Sequence, residues 1–78
     1  MRKIPILYIV IPCYNEANTL PVTAPLFLKK LQDLMEQNLV NEESRILFVD
    51  DGSKDDTWQI ISTLAKSNKY FAGVAQSR

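Results

Sequence analysis

The sequence predicts an α/β fold, a β-α-β-α-β half-sheet of three parallel strands. Two apolar, β-branched runs (residues 4–11 and 46–49) each end in a polar turn, and residues 71–75 form a third run. Apolar residues at helical spacing fill both intervals between them. Alternation of this kind gives parallel strands joined by right-handed crossovers, half of a doubly wound sheet.

The first run, from Ile4 to Ile11, shows no polar alternation, which predicts a strand covered on both faces. Pro12 is expected to stop it, because proline cannot donate to a ladder. Met1-Arg2-Lys3 ahead of this run superficially resembles a signal peptide. Pro5 interrupts the apolar stretch, however, and no small-residue cleavage site follows. The run is also far short of the ~20 residues that a membrane helix needs.

Tyr14-Asn15-Glu16-Ala17-Asn18 is a polar turn. Asn18 or Thr19 is placed to cap the next helix, with Pro21 in its first turn. Leu20, Ala24, Phe27, Leu28, Leu31, Leu34 and Met35 make its apolar stripe, with Lys29, Lys30, Gln32, Asp33 and Glu36 opposite. Pro25 predicts a kink, or a main helix that begins near Thr23.

Residues 41–45 form a polar connector, and residues 46–49 a second buried strand. Asp55 or Asp56 is expected to cap a second helix, whose stripe is Trp58, Ile61, Leu64 and Ala65, with Ile60 alongside. Asn68 and Lys69 close it, and residues 71–75 make the third strand. The expected spatial order is 3-2-1, with the first strand innermost in a complete sheet. Its free edge here would be a template for self-association, so a homo-oligomer is expected.

Composition narrows the function. The 78 residues carry nine basic and nine acidic side chains, no histidine and one cysteine. A basic nucleic-acid tail, a disulfide framework and a His/Cys zinc site within one chain are excluded. Ser53 and Cys13 have no histidine partner, which excludes a Ser-His-Asp triad and makes Cys13 a small buried residue. Neither G-x-x-x-x-G-K-[ST] nor G-x-G-x-x-G occurs. The lone cysteine and the absent leader favour the cytoplasm.

Open α/β sheets bind ligands beyond the carboxyl ends of their strands. Residues 12–16 and 50–53 both lie there. Tyr14 can stack on a base or pack over its loop. Glu16 can accept hydrogen bonds from sugar hydroxyls or sit in the first helical turn. Asp50 and Asp51 are adjacent carboxylates, and neighbours in a strand point to opposite faces. One of them should therefore aim at a ligand's donors while the other braces the loop. Gly52 permits a tight turn and Ser53 can help fix it. Asp55-Asp56-Thr57 reads as a helix cap rather than a metal site.

Ile9-Val10-Ile11-Pro12-Cys13-Tyr14-Asn15-Glu16, followed by Leu47-Phe48-Val49-Asp50-Asp51-Gly52-Ser53-Lys54-Asp55-Asp56-Thr57, resembles the start of a family 2 glycosyltransferase. These enzymes have the GT-A fold. Residues 1–78 would be the nucleotide-binding, Rossmann-like N-terminal part of its catalytic domain, itself incomplete. The most similar subgroup is the polyprenyl-phosphate glycosyltransferases, which include dolichol-phosphate mannose synthase. Gly73-Val74-Ala75-Gln76-Ser77-Arg78 resembles that subgroup's third strand and the start of its S-R-N segment.

The resemblance implies that Pro12, Tyr14, Glu16, Val49 and Asp51 line a nucleotide-sugar pocket. Val49 would touch the base and Asp51 would accept from a ring N–H. Asp50, Gly52 and Ser53 would be structural support. It implies an inverting transfer from a UDP- or GDP-sugar to a lipid phosphate or saccharide acceptor. The D-x-D site for Mg²⁺ or Mn²⁺ and the catalytic carboxylate are expected beyond residue 78, which would leave this segment inactive alone. The expected location is the cytoplasmic face of a membrane. Two other readings stay open: a non-catalytic nucleotide-binding or assembly module, and a phosphoryl-transfer or metal enzyme using Asp50 and Asp51.

Overall fold

The computed structural model describes residues 3–76. Its elements are β1 (Tyr8–Cys13), α1 (Leu20–Glu36), β2 (Arg45–Asp50), α2 (Thr57–Ser67) and β3 (Phe71–Ala75). All strand pairing is parallel and the order is β1-β2-β3, so the expected topology is observed. Two right-handed crossovers stepping the same way across a sheet leave both helices on one face. There α1 touches α2.

The core lies between that face and the helices. Ile46 and Phe48 of β2 are fully buried against Leu20, Ala24 and Leu31 of α1 and Ile61 of α2. The rings of Phe48 and Phe71 stand 5.6 Å apart and tilted. Tilted aromatic pairs of this kind add to the area they bury. Gly73 of β3 is the point of closest approach, because a Cβ there would meet Ile61 Cγ2 and the Trp58 ring.

The expectation that both sheet faces are covered is corrected. Burial alternates along β2, with Ile46, Phe48 and Asp50 buried and the residues between them half-buried. Along β1 the side chains of Tyr8, Val10 and Pro12 are exposed, and Val74 of β3 is exposed as well. Among the described residues only one face carries helices, so the uninterrupted apolar run of β1 does not correspond to two-sided burial here.

The limits of β1 also differ from the expectation. Residues 4–7 lie outside the strand. Pro5 accepts from the Asn41 N–H, and the Leu7 N–H donates to the buried Ser44 hydroxyl at 2.9 Å. This segment is therefore tied to the connector before β2 by side-chain and loop bonds. Pro12 does not stop the strand; it lies within it, opposite Val49. The reason is the parity of the ladder. Arg45 N–H donates to Leu7 O, and Asp51 N–H donates to Cys13 O. Odd-numbered residues of β1 thus face β2, and the Pro12 nitrogen faces the edge that pairs with no strand among the described residues, so its missing donor breaks no rung there.

In α1 the predicted stripe faces the core, but the helix begins at Leu20 and continues through Pro25. Pro25 is exposed, so the carbonyl it leaves without a helical partner lies near solvent. Burial of Leu20, Ala24 and Leu31 carries the helix past it. The N-cap position is Thr19, whose side chain makes no capping bond. Instead the Glu16 carbonyl accepts both the Thr19 and Leu20 N–H groups. The N-cap position of α2 is Asp56, again without a side-chain bond; the carboxylate that accepts the Thr57 N–H is that of Asp55. The Met1-Arg2 and Ser77-Arg78 readings lie outside the described residues. Among those described, no helix is long and apolar enough to cross a membrane.

Candidate functional site

The parallel register sets the site. Cys13 is opposite Asp50, and Pro12 is opposite Val49, which is in turn opposite Val74 of β3. Side chains alternate along each strand, so Pro12, Val49 and Val74 form one row on the helix-free face. The row is a short apolar floor at the carboxyl edge of the sheet. The β1–α1 and β2–α2 loops rise directly beyond it.

Asp50 points to the helix side, 4% exposed, and accepts the Ser53 N–H at 3.1 Å. Its carbonyl accepts the Gln76 N–H, tying the loop to the end of β3. Asp51 follows on the opposite parity, the parity of Val49. Gly52 takes a φ of 71°, a left-handed conformation that turns the chain sharply after the two carboxylates. Asn15 adopts φ 52° in the facing loop, a value that asparagine tolerates better than most side chains. Tyr14 is 49% exposed, with much of its ring free to meet a flat partner.

The two loops are bonded into one rim. Three successive amides of the first loop donate to side-chain oxygens of the second: Asn15 to Ser53 Oγ (2.9 Å), Glu16 to Thr57 Oγ1 (2.8 Å) and Ala17 to Asp55 Oδ2 (3.2 Å). In the reverse direction the Lys54 N–H donates to Asn15 Oδ1 at 2.8 Å. The Thr57 hydroxyl also donates to Asp55. That bond is the main cause holding the Asp55 carboxyl below the usual carboxylate range, and the N–H groups of Thr57 and Ala17 add to it. Burial pushes the Cys13 thiol up, and the carboxylates of Glu16 and Asp50 push it further, so it is a poor nucleophile.

The structure therefore brings Pro12, Tyr14, Glu16, Val49 and Asp51 to one end of the sheet, with Asp50, Gly52 and Ser53 in the turn beneath. Sequence reasoning treated Asp55 and Thr57 as a helix cap alone. Their bonds to Glu16 and Ala17 were missed, although short polar side chains in both of two adjacent loops were the available signal. Among the described residues no group of three His, Cys, Asp or Glu is placed to hold a metal. Asp50 accepts the Ser53 N–H, and Asp55 accepts the N–H groups of Thr57 and Ala17. A hollow at the other end of the sheet is walled by Ile4, Val40 and Tyr70 together with the charged Lys29, Asp33 and Glu42.

Comparison with known proteins decides the family. The model of glycosyl transferase family 2 matches residues 8–77. The chain belongs to this family. It is 44% identical over 70 residues to an uncharacterized glycosyltransferase, YkoT, of Bacillus subtilis (strain 168). It is 38% identical to a prophage bactoprenol glucosyl transferase homolog of Escherichia coli (strain K12), and 40% identical to the bactoprenol glucosyl transferase of Shigella phage SfV. Each match covers 90% of this chain and 21% of the relative, so the chain spans about a fifth of the length of these curated relatives. No solved structure matches.

Proposed function

We propose that this chain forms the base- and ribose-binding part of an inverting glycosyltransferase that uses a nucleoside-diphosphate sugar, UDP- or GDP-linked, and a lipid-carrier phosphate as acceptor. One observation supports it most: the loops after β1 and β2 are cross-bonded above the Pro12–Val49 row. That arrangement gives a rigid rim with an apolar floor and acceptors at its margin. Membership of the family and the bactoprenol in the relatives' names support the reaction and the acceptor class.

In this reading the base lies against Val49 and Pro12, and Tyr14 stacks on its face. Asp51 accepts a ring N–H, and Glu16 accepts from ribose hydroxyls. Both contacts hold the donor equally before and during transfer, so they act on affinity and orientation. In the transfer an acceptor phosphate oxygen bonds to the anomeric carbon as the bond to the diphosphate oxygen breaks. The nucleoside diphosphate leaves with that electron pair. A phosphate acceptor is already anionic and needs little base assistance. Mg²⁺ or Mn²⁺ belongs to the proposal as a group held by residues other than these, as does action at the cytoplasmic face of a membrane.

Calorimetric titration of the full gene product with UDP and GDP tests the pocket. A radiolabelled transfer assay with polyprenyl phosphate tests the reaction. Saturable binding of one nucleotide, and label moving into the lipid phase, are expected. Absence of both would overturn the reading.

A further inference from the structure

We infer that Asp55, Thr57 and Ser53 are positioning residues for the nucleotide pocket, fixing the backbone of Asn15, Glu16 and Ala17 and thereby the aim of Tyr14 and Glu16. The inference rests on the pocket proposed above.

Helix capping explains only part of what these side chains do. A cap for α2 needs one Asp55 oxygen on the Thr57 N–H. The second oxygen instead reaches Ala17, 38 residues back in the other loop. Thr57 uses its one hydroxyl twice, donating to Asp55 and accepting from Glu16, 41 residues away. Its side chain is fully buried, and among the described residues no buried side-chain polar atom lacks a partner. Glu16 is held from its other side as well, because its carbonyl starts α1 by accepting two N–H groups.

The network also decides what the first loop offers a ligand. Successive N–H groups in a turn commonly make a cradle for an anion. Here the amides of residues 15–17 are taken by Ser53, Thr57 and Asp55. A nucleotide meets this loop through the side chains of Tyr14 and Glu16, and their direction depends on where the amides are held.

The test uses Thr57→Val, Thr57→Ser and Asp55→Asn in the full gene product. Asn at 55 retains an acceptor for Thr57 but turns an N–H toward Ala17. UDP and GDP are titrated by calorimetry at a temperature where circular dichroism shows each variant folded. We expect Thr57→Val and Asp55→Asn to weaken the nucleotide that wild type binds by about tenfold, the worth of one hydrogen bond, with Thr57→Ser restoring affinity to within about twofold of wild type. Asp55 is exposed, so Asp55→Asn carries the test should Thr57→Val fail to fold. Wild-type affinity in folded Asp55→Asn, or equal losses in Thr57→Ser and Thr57→Val, would overturn the positioning role and leave the pocket standing. If wild type binds neither nucleotide, the pocket falls and this inference with it.

Discussion

Glu16 and Thr57 are joined by a 2.8 Å bond from a backbone N–H to a buried hydroxyl, across 41 residues of sequence. That bond exists only because β1 and β2 are parallel neighbours with Cys13 opposite Asp50. The register fixes the loops side by side, and the loops then lock one another.

Asp50 and Asp51 should separate by role. In the full gene product Asp51→Ala is expected to cost about 1.5–3 kcal/mol of nucleotide binding, the range for a hydrogen bond to a charged group. Asp50→Ala should instead lower stability by about 1–3 kcal/mol, because it leaves the Ser53 N–H without its buried acceptor. Titration with UDP and GDP beside thermal melts distinguishes them. Equal direct losses of binding with unchanged melting would refute the division.

Gly73 should not tolerate a side chain. A Cβ there would clash with Ile61 Cγ2, which is fully buried and cannot swing into water. Gly73→Val should destabilise the fold by about 1–3 kcal/mol through overpacking. A denaturant melt with an unchanged slope and a lower midpoint is the expected signature.

Asp55 should make stability pH-dependent in a defined direction. Its folded pKa is depressed, so the unfolded chain takes up the proton at higher pH than the folded one does. Stability from Asp55 is then complete above the ordinary carboxylate pKa of about 3.9 and is lost as pH falls through the lower folded value. The difference in melting temperature between wild type and Asp55→Asn should be constant above about pH 5 and shrink below the ordinary carboxylate value. A difference that grows on acidification would contradict the assigned bonds.

Cys13 should report unfolding. It is 2% exposed, and its thiolate is disfavoured by burial and by two neighbouring carboxylates. Disulfide-exchange labelling at pH 8 should be slow in buffer and fast in denaturant. Rapid labelling of folded protein would show that the carboxyl end of β1 opens readily.

Much of the fold was legible because its signals are local. The stripe from Leu20 to Met35 and the runs around Phe48 and Phe71 each state their own period, and alternation of elements then leaves parallel pairing as the natural outcome. Pro12 misled because its effect depends on which edge its nitrogen faces, and that parity is set by Arg45 and Asp51 rather than by Pro12. Coverage of β1 was misjudged for a related reason: an apolar run records what a strand tolerates, not what packs on it in this span. At the site, strand alternation required Asp50 and Asp51 to take opposite faces, and it left open which of them faces the helices. The bonds from Ser53, Asp55 and Thr57 to the first loop did not follow from it, since each needs the register before the two partners can be recognised as neighbours.

The parity of Pro12 has a further consequence for assembly. Along the side of β1 away from β2 the outward N–H groups come from even-numbered residues, so a strand arriving there finds donors at Tyr8 and Val10 and a missing rung at Pro12. Any extension of the sheet on that side is thereby biased toward the amino half of β1. The end beside Tyr14 is left unzipped, and a growing sheet is steered away from the rim where a nucleotide would enter.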